Sequence, residues 1–160
     1  MGVSGSGKST VARAVADRLG WDLGEGDDLH PPENIAKMAA GHPLTDVDRV
    51  PWLRRVRAWI DARLDAGRPG IITCSALKHS YRDVLRRDGV LFVELDVPAR
   101  DLSRRMAERP GHFMPAALLT SQLSALEPVG PDEHAVRVDG TKPVDALVAD
   151  LAALLTAQGR

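Results

Sequence analysis

Apolar positions along this chain fall into helical spacings separated by short continuous runs. Val11, Val15 and Leu19 return every four residues between Ser9 and Leu19, and Gly20 follows as a stop, so a helix is predicted there. A brief extended piece, 21–24, leads into the acidic, turn-rich stretch 25–32, and residues 33–40 read as a short helix closed by Gly41. Asp48 is placed to cap the next helix, with Pro51 tolerated in its first turn. Trp52, Val56, Trp59, Ile60 and Leu64 then share one face until Gly67. The apolar run 70–74 reads as a buried strand, 79–87 as helix, 90–95 as strand, 98–109 and 116–126 as helices, 135–138 as the last strand and 143–155 as the last helix. Strands alternating with helices predict one α/β domain over 1–160, a parallel sheet covered on both faces. In such sheets ligands bind beyond the carboxyl ends of the strands.

Composition narrows the class. The chain has 160 residues, enough for one substantial core, with 44% hydrophobic and 27% charged residues. Its 21 basic and 22 acidic side chains leave a net charge of -1, which gives no basic field for nucleic acid or an anionic membrane. Cys74 is the single cysteine, so no intrachain disulfide forms and a reducing compartment fits. No apolar run approaches the ~18 residues of a membrane span, and the opening is not a signal peptide. The expectation is a cytoplasmic protein.

The opening carries the first chemistry. Gly2 to Ser9, G-V-S-G-S-G-K-S, fits the phosphate-binding pattern G-x-x-x-x-G-K-[ST]. Glycines let the backbone curl so that successive N–H groups converge, and the helix behind them adds its positive end. Gly2, Ser4, Gly5, Ser6, Gly7, Lys8, Ser9 and Thr10 are the nucleotide-binding candidates. Lys8 would reach the β- and γ-phosphates of ATP, and Ser9 would hold Mg²⁺ through its hydroxyl. A strand normally precedes such a loop, but only Met1 precedes Gly2 here. The expectation is therefore either a start upstream of this methionine or a gap in mid-sheet, with apolar neighbours uncovered and loop backbone unpaired.

GTPase, ATPase motor and small-molecule kinase all use this loop. The guanine-reading sequence N-K-x-D does not occur, and the chain is short for a motor. A small kinase needs an acceptor pocket with a base and a basic lid over the phosphates. Glu25 to Pro31, E-G-D-D-L-H-P, is the pocket candidate, an acidic solvated turn being its alternative. Asp27 is the candidate base, with Glu25 assisting or holding a Mg²⁺-bound water. The lid candidate spans roughly 104–127, with Arg105 and Arg109 as phosphate-facing cations; its alternative is a solvated helix face.

Further motifs widen the match: N-I-x-K-M (34–38), G-x-P-L-x-D-x-D-R-x-P-W-L (41–53), C-S-A-L-K-x-x-Y-R-D-x-L-R (74–86), G-H-F (111–113), S-Q (121–122) and L-E-P (126–128). In this order, with the loop and the acidic turn, they cover nearly the whole chain. The chain resembles the small P-loop gluconokinases, related in fold to shikimate and adenylate kinases. The absent first strand and Asp28 at a variable position are its departures. The resemblance implies ATP- and Mg²⁺-dependent phosphorylation of D-gluconate at its 6-hydroxyl, and a homodimer. In its light Arg49, Lys78 and Arg82 are the cations for the gluconate carboxylate, while His30, Asp46 and Ser75 are hydroxyl-bonding candidates. Arg105 or Arg109, with 140–143, is a candidate adenine site. Cys74, Trp52 and Trp59 read as core. A kinase of another hydroxy acid such as shikimate, and a non-catalytic nucleotide-binding module, are the competing readings.

Overall fold

The computed structural model describes residues 1–107 and 117–158. In chain order the elements are α1 (Lys8–Leu19), β1 (Asp22–Glu25), a 3-10 turn (Gly26–Leu29), α2 (Pro32–Ala39), α3 (Asp46–Asp65), β2 (Gly70–Thr73), α4 (His79–Leu85), β3 (Phe92–Asp96), α5 (Ala99–Ala107), α6 (Ala117–Ala125), β4 (Ala135–Asp139) and α7 (Val144–Gln158). All strand pairing is parallel: β1 lies on β2 with Asp22 opposite Gly70, and β3 on β4 with Phe92 opposite Ala135.

The sheet is split between β2 and β3 into two pairs. Met1 and Gly2 bridge the split at one end. The Met1 amine donates to the Val93 carbonyl, the Met1 carbonyl accepts from Leu95 N–H at 3.0 Å, and Gly2 N–H donates to the Ser75 carbonyl at 3.3 Å. Among the described residues no strand lies between β2 and β3.

Helices cover both faces. On one, Val11 and Val15 of α1 pack with Leu147, Val148 and Leu151 of α7 against Leu95. On the other, Trp52, Val56 and Ile60 of α3 pack with Tyr81 and Leu85 of α4 and with Phe92. Trp52 is fully buried, and its Nε1–H donates to the Gly26 carbonyl at 2.7 Å, so the indole both fills the core and fixes the turn after β1. Leu64, expected on the same buried face, lies beyond it and is exposed.

The start of α3 corrects one expectation. Thr45, not Asp48, is the N-cap: its hydroxyl accepts from Asp48 N–H, while the Asp48 carboxylate accepts from Thr45 N–H at 2.7 Å. This reciprocal box satisfies two orphan amides of the first turn. Asp48 also pairs with Lys37 at 2.6 Å, and these bonds hold its carboxyl down at about 2. The box thereby ties α2 to α3.

Candidate active site

Gly2, Gly5 and Gly7 take φ angles of 136°, 79° and 93°, a region that side chains resist. A Cβ at Gly5 would stand 3.0 Å from Met106 Cγ, a tight approach that adds to the strain of its positive φ. The curl delivers the chain into α1, whose first turn carries no acid and whose N-cap, Gly7, offers no side chain to its amides. No carboxylate of that turn competes with an anion for this helix end. Lys8 folds back over the loop, its Nζ donating to the Val3 carbonyl at 2.8 Å. Ser4 N–H donates to Gln122 Oε1 of α6 at 2.7 Å. Arg105 of α5 donates to the Ser6 carbonyl at 3.3 Å and to the Gly140 carbonyl at 3.0 Å. It thus joins the loop to the segment after β4, so that Arg105 and Gly140, both named for the candidate adenine site, are in contact. Arg109, with 108–116, lies outside the described residues.

The loop meets the acidic turn through three side chains. Ser9 Oγ donates to Glu25 Oε2 at 2.9 Å, and Thr73 Oγ1 donates to the same oxygen at 2.6 Å. Thr73 Oγ1 in turn accepts from Gly26 N–H at 3.3 Å. Arg13 approaches the other Glu25 oxygen at 3.7 Å. Both metal candidates therefore sit together at the ends of β1 and β2, and Thr73, not foreseen, orients the carboxylate. Asp27 follows two residues on and is exposed. Lys8 and Asp27 both act electrostatically on Cys74, just past β2. Burial pushes the Cys74 thiol itself up to about 12, so it is a core group rather than a nucleophile.

A second cluster lies across α3 and α4. Lys78 Nζ reaches Asp46 at 2.7 Å, and the Tyr81 hydroxyl donates to the same carboxylate. Arg49 lies over the Tyr81 ring at 5.6 Å and Lys78 at 5.5 Å. Arg49 also donates to the Leu44 carbonyl at 2.6 Å. The hydrogen bonds from Lys78 and Tyr81 hold the Asp46 carboxyl below its ordinary range, and Asp46 raises Lys78 in return. Tyr81 was part of a motif in the sequence but carried no assigned role; a hydroxyl three residues after Lys78 was its only signal.

His30 connects the two groups. Its ring stacks on Trp52 at 4.5 Å with 10° between planes. Burial lowers it to about 4, Asp27 pulling the other way and Arg49 adding to the fall. Asn34 Nδ2 donates to His30 Nδ1 at 3.3 Å and to the Asp48 carbonyl at 2.8 Å, which assigns the ring proton to Nε2. His30 is a neutral ring with Nε2–H as its donor. Ser75 enters through its carbonyl, which holds Gly2, beside Ala76 at φ 41°.

Arg82 overturns its expectation. The resemblance makes it a substrate cation, but its side chain is wholly buried and paired with Glu133, whose carboxyl it holds down. It also donates to the carbonyls of Ala76, Leu77 and Glu127 at 3.2, 3.2 and 3.1 Å. A guanidinium so engaged braces the segment carrying Ser75 and Lys78; it does not face a ligand.

A phosphate loop on a helix end, a lysine over it, and a hydroxyl–carboxylate pair at the ends of parallel strands define a P-loop kinase. Residues 1–129 match the family model described as AAA domain. The chain is 51% identical over 153 residues to a gluconokinase of Gluconobacter oxydans (strain 621H), covering 94% of this chain and 86% of that one. The structure of a sugar kinase from Janibacter sp. HTCC2649 superimposes with TM-score 0.92 at 53% identity, over 98% of this chain and 91% of that one. A gluconokinase structure from Sinorhizobium meliloti 1021 gives 0.80 at 47%, over 100% and 95%. The chain belongs to the gluconokinase family.

Proposed function

We propose that this enzyme transfers the γ-phosphoryl group of ATP to the 6-hydroxyl of D-gluconate, giving 6-phospho-D-gluconate and ADP. The observation that carries the reading is the Ser9–Glu25–Thr73 junction, which fastens the phosphate loop to the acidic turn bearing Asp27. In the reaction the acceptor oxygen attacks the γ-phosphorus in line, the bond to the β,γ-bridging oxygen breaks, and the acceptor proton passes to the Asp27 carboxylate. Lys8 supports the phosphate charge, while Arg105 and Arg109 of the 104–127 lid cover it and exclude water. Gly2, Ser4, Gly5, Ser6, Gly7, Ser9 and Thr10 seat the nucleotide.

The donor set suits Mg²⁺. Ser9 Oγ and Glu25 Oε2 are hard oxygen ligands side by side, and this ion takes few protein ligands beside phosphate oxygens. When bound, it would neutralise charge on the β- and γ-phosphate oxygens. At the acceptor end, Arg49 and Lys78 supply positive charge for the gluconate carboxylate, and Asp46, His30 and Ser75 bond its hydroxyls. Among the described residues no helix is long and apolar enough to cross a membrane. A cytoplasmic homodimer acting on a small molecule, without nucleic acid or membrane, completes the proposal; sedimentation at micromolar concentration tests the dimer.

A coupled assay over a panel of sugar acids, with shikimate included, tests the assignment. Turnover with gluconate above all others is expected; preference for shikimate, or none at all, overturns it. Lys8→Ala should lower turnover roughly 10²- to 10³-fold. Asp27→Asn should keep nucleotide binding but lose transfer, and near-normal turnover removes Asp27 from the role.

A further inference from the structure

One peptide unit of the phosphate loop is held at both ends. The Val3 carbonyl accepts from Lys8 Nζ at 2.8 Å, and the Ser4 N–H donates to Gln122 Oε1 at 2.7 Å. These two groups belong to the same trans peptide bond. That bond is planar, and its C=O and N–H point in opposite directions, so a grip on one end aims the other.

The grip comes from far along the chain. Gln122 lies on α6, 118 residues beyond Ser4, within the 104–127 segment expected to form the lid. Leu119, on the same face of that helix, is buried with Val3 in one apolar cluster that also takes in Leu102 of α5 and Leu77. Thus α6 seats the Val3 side chain with Leu119 and turns the following amide with Gln122. Val3 and Ser4 are both buried, and an amide placed so needs an acceptor.

The chemical type of the acceptor fits the place. A glutamine oxygen carries no charge, so it holds the amide without adding a negative group beside the phosphates. The hydrogen bond donated by the N–H also polarises the peptide, which makes the Val3 carbonyl a stronger acceptor for the ammonium. Lysine is a point charge on a flexible stem, and a fixed carbonyl gives it direction.

We propose that Gln122 is a positioning residue for phosphoryl transfer, acting through the Val3–Ser4 peptide on the direction of Lys8. This rests on Lys8 being the cation of the β- and γ-phosphates. It also gives α6 a bearing on the transfer, because displacing that helix releases the peptide and with it the lysine.

The test is a double-mutant cycle on the full chain. It is read by calorimetry with Mg²⁺ and the non-hydrolysable analogue adenylyl imidodiphosphate, without sugar. Methionine has the length of glutamine and a comparable helix propensity but lacks the carbonyl oxygen. Gln122→Met should weaken binding about tenfold in the unaltered chain and less than about twofold in Lys8→Met, since the two residues work as one unit. In turnover it should lower kcat about tenfold, with KM for gluconate unchanged. Gln122→Glu keeps an oxygen at the same reach and should keep kcat within about threefold, which covers the case of an unstable methionine variant. Equal losses from Gln122→Met on both backgrounds, or a glutamate variant as slow as the methionine one, overturns the proposal. A Lys8→Met chain that binds the analogue as tightly as the unaltered chain overturns the role of Lys8 itself, and the proposal with it. The calorimetry uses no sugar, so its outcome stands apart from the assay of acceptor preference.

Discussion

Lys78 and Arg82 stand four residues apart at the head of α4, and each pairs with a carboxylate. Spacing alone puts them on one helix face. The structure separates them, because Lys78 is the N-cap in an extended conformation and Arg82 lies inside the helix. The Lys78 pair with Asp46 is open, the two side chains 30% and 65% exposed. The Arg82 pair with Glu133 is closed, at 0% and 1%. An open pair adds little to stability but is free to trade its partner for a ligand. A closed pair, once formed, cannot lose one member without leaving a charge in the core. The same chemistry is a binding group in one place and a brace in the other, and burial decides which.

Breaking the closed pair gives the largest effect. Arg82→Ala should lower unfolding free energy by about 3–5 kcal/mol, since Glu133 and several carbonyls lose their donor. Urea melts check this, and Arg82→Met with Glu133→Leu should recover much of the loss. KM for gluconate should rise as well, since the segment carrying Ser75 and Lys78 loses its brace.

Breaking the open pair should show the reverse pattern. Lys78→Ala is expected to leave Tm unchanged within error and to raise KM for gluconate on the order of tenfold, with KM for ATP little altered. Initial rates at varied gluconate measure it, and a large fall in Tm would place Lys78 with Arg82.

Tyr81→Phe sharpens the contrast further. It removes the hydroxyl donor to Asp46 but keeps the ring under Arg49 and Lys78. KM for gluconate should rise a few-fold, and the Asp46 carboxyl should move back towards its ordinary range, visible by carboxyl NMR titration.

The smallest effect is one of pH. Asp46 and Glu133 both have lowered folded-state values, so each stabilises above its unfolded pKa and loses that as pH falls below about 4. His30 works in a higher window. Its folded value is about 4 against 6.5, so the unfolded chain takes up the proton first and stability rises with pH between those values. His30→Phe keeps a ring on Trp52 and should flatten that slope. The Met1 amine, about 5 against 8.0, slopes the same way at higher pH and should remain.

Much of this site was legible in the chain. The glycine pattern, the acidic turn and the helix periods fixed the loop, the strand ends and the layers. Glu25 and Ser9, named as metal candidates sixteen residues apart, meet directly. Other members were not legible. Thr73 had no pattern of its own, and its hydroxyl matters because parallel pairing sets it opposite Glu25. Gln122 reaches the loop only through the packing of α6. The Thr45 cap was missed because aspartate takes the place usual for glutamate in the box.

By itself the sequence determined a phosphate loop, its helix and an alternating α/β chain, because these rest on local conformation: glycine's access to positive φ, a helix period, a run of apolar residues. Only the tertiary structure decided which cations face solvent, which are locked in the core, and that Met1 and Gly2 join the two strand pairs at one end. Those outcomes depend on contacts between residues fifty or more positions apart, such as Arg82 with Glu133 and Met1 with Leu95, and on the water that packing excludes.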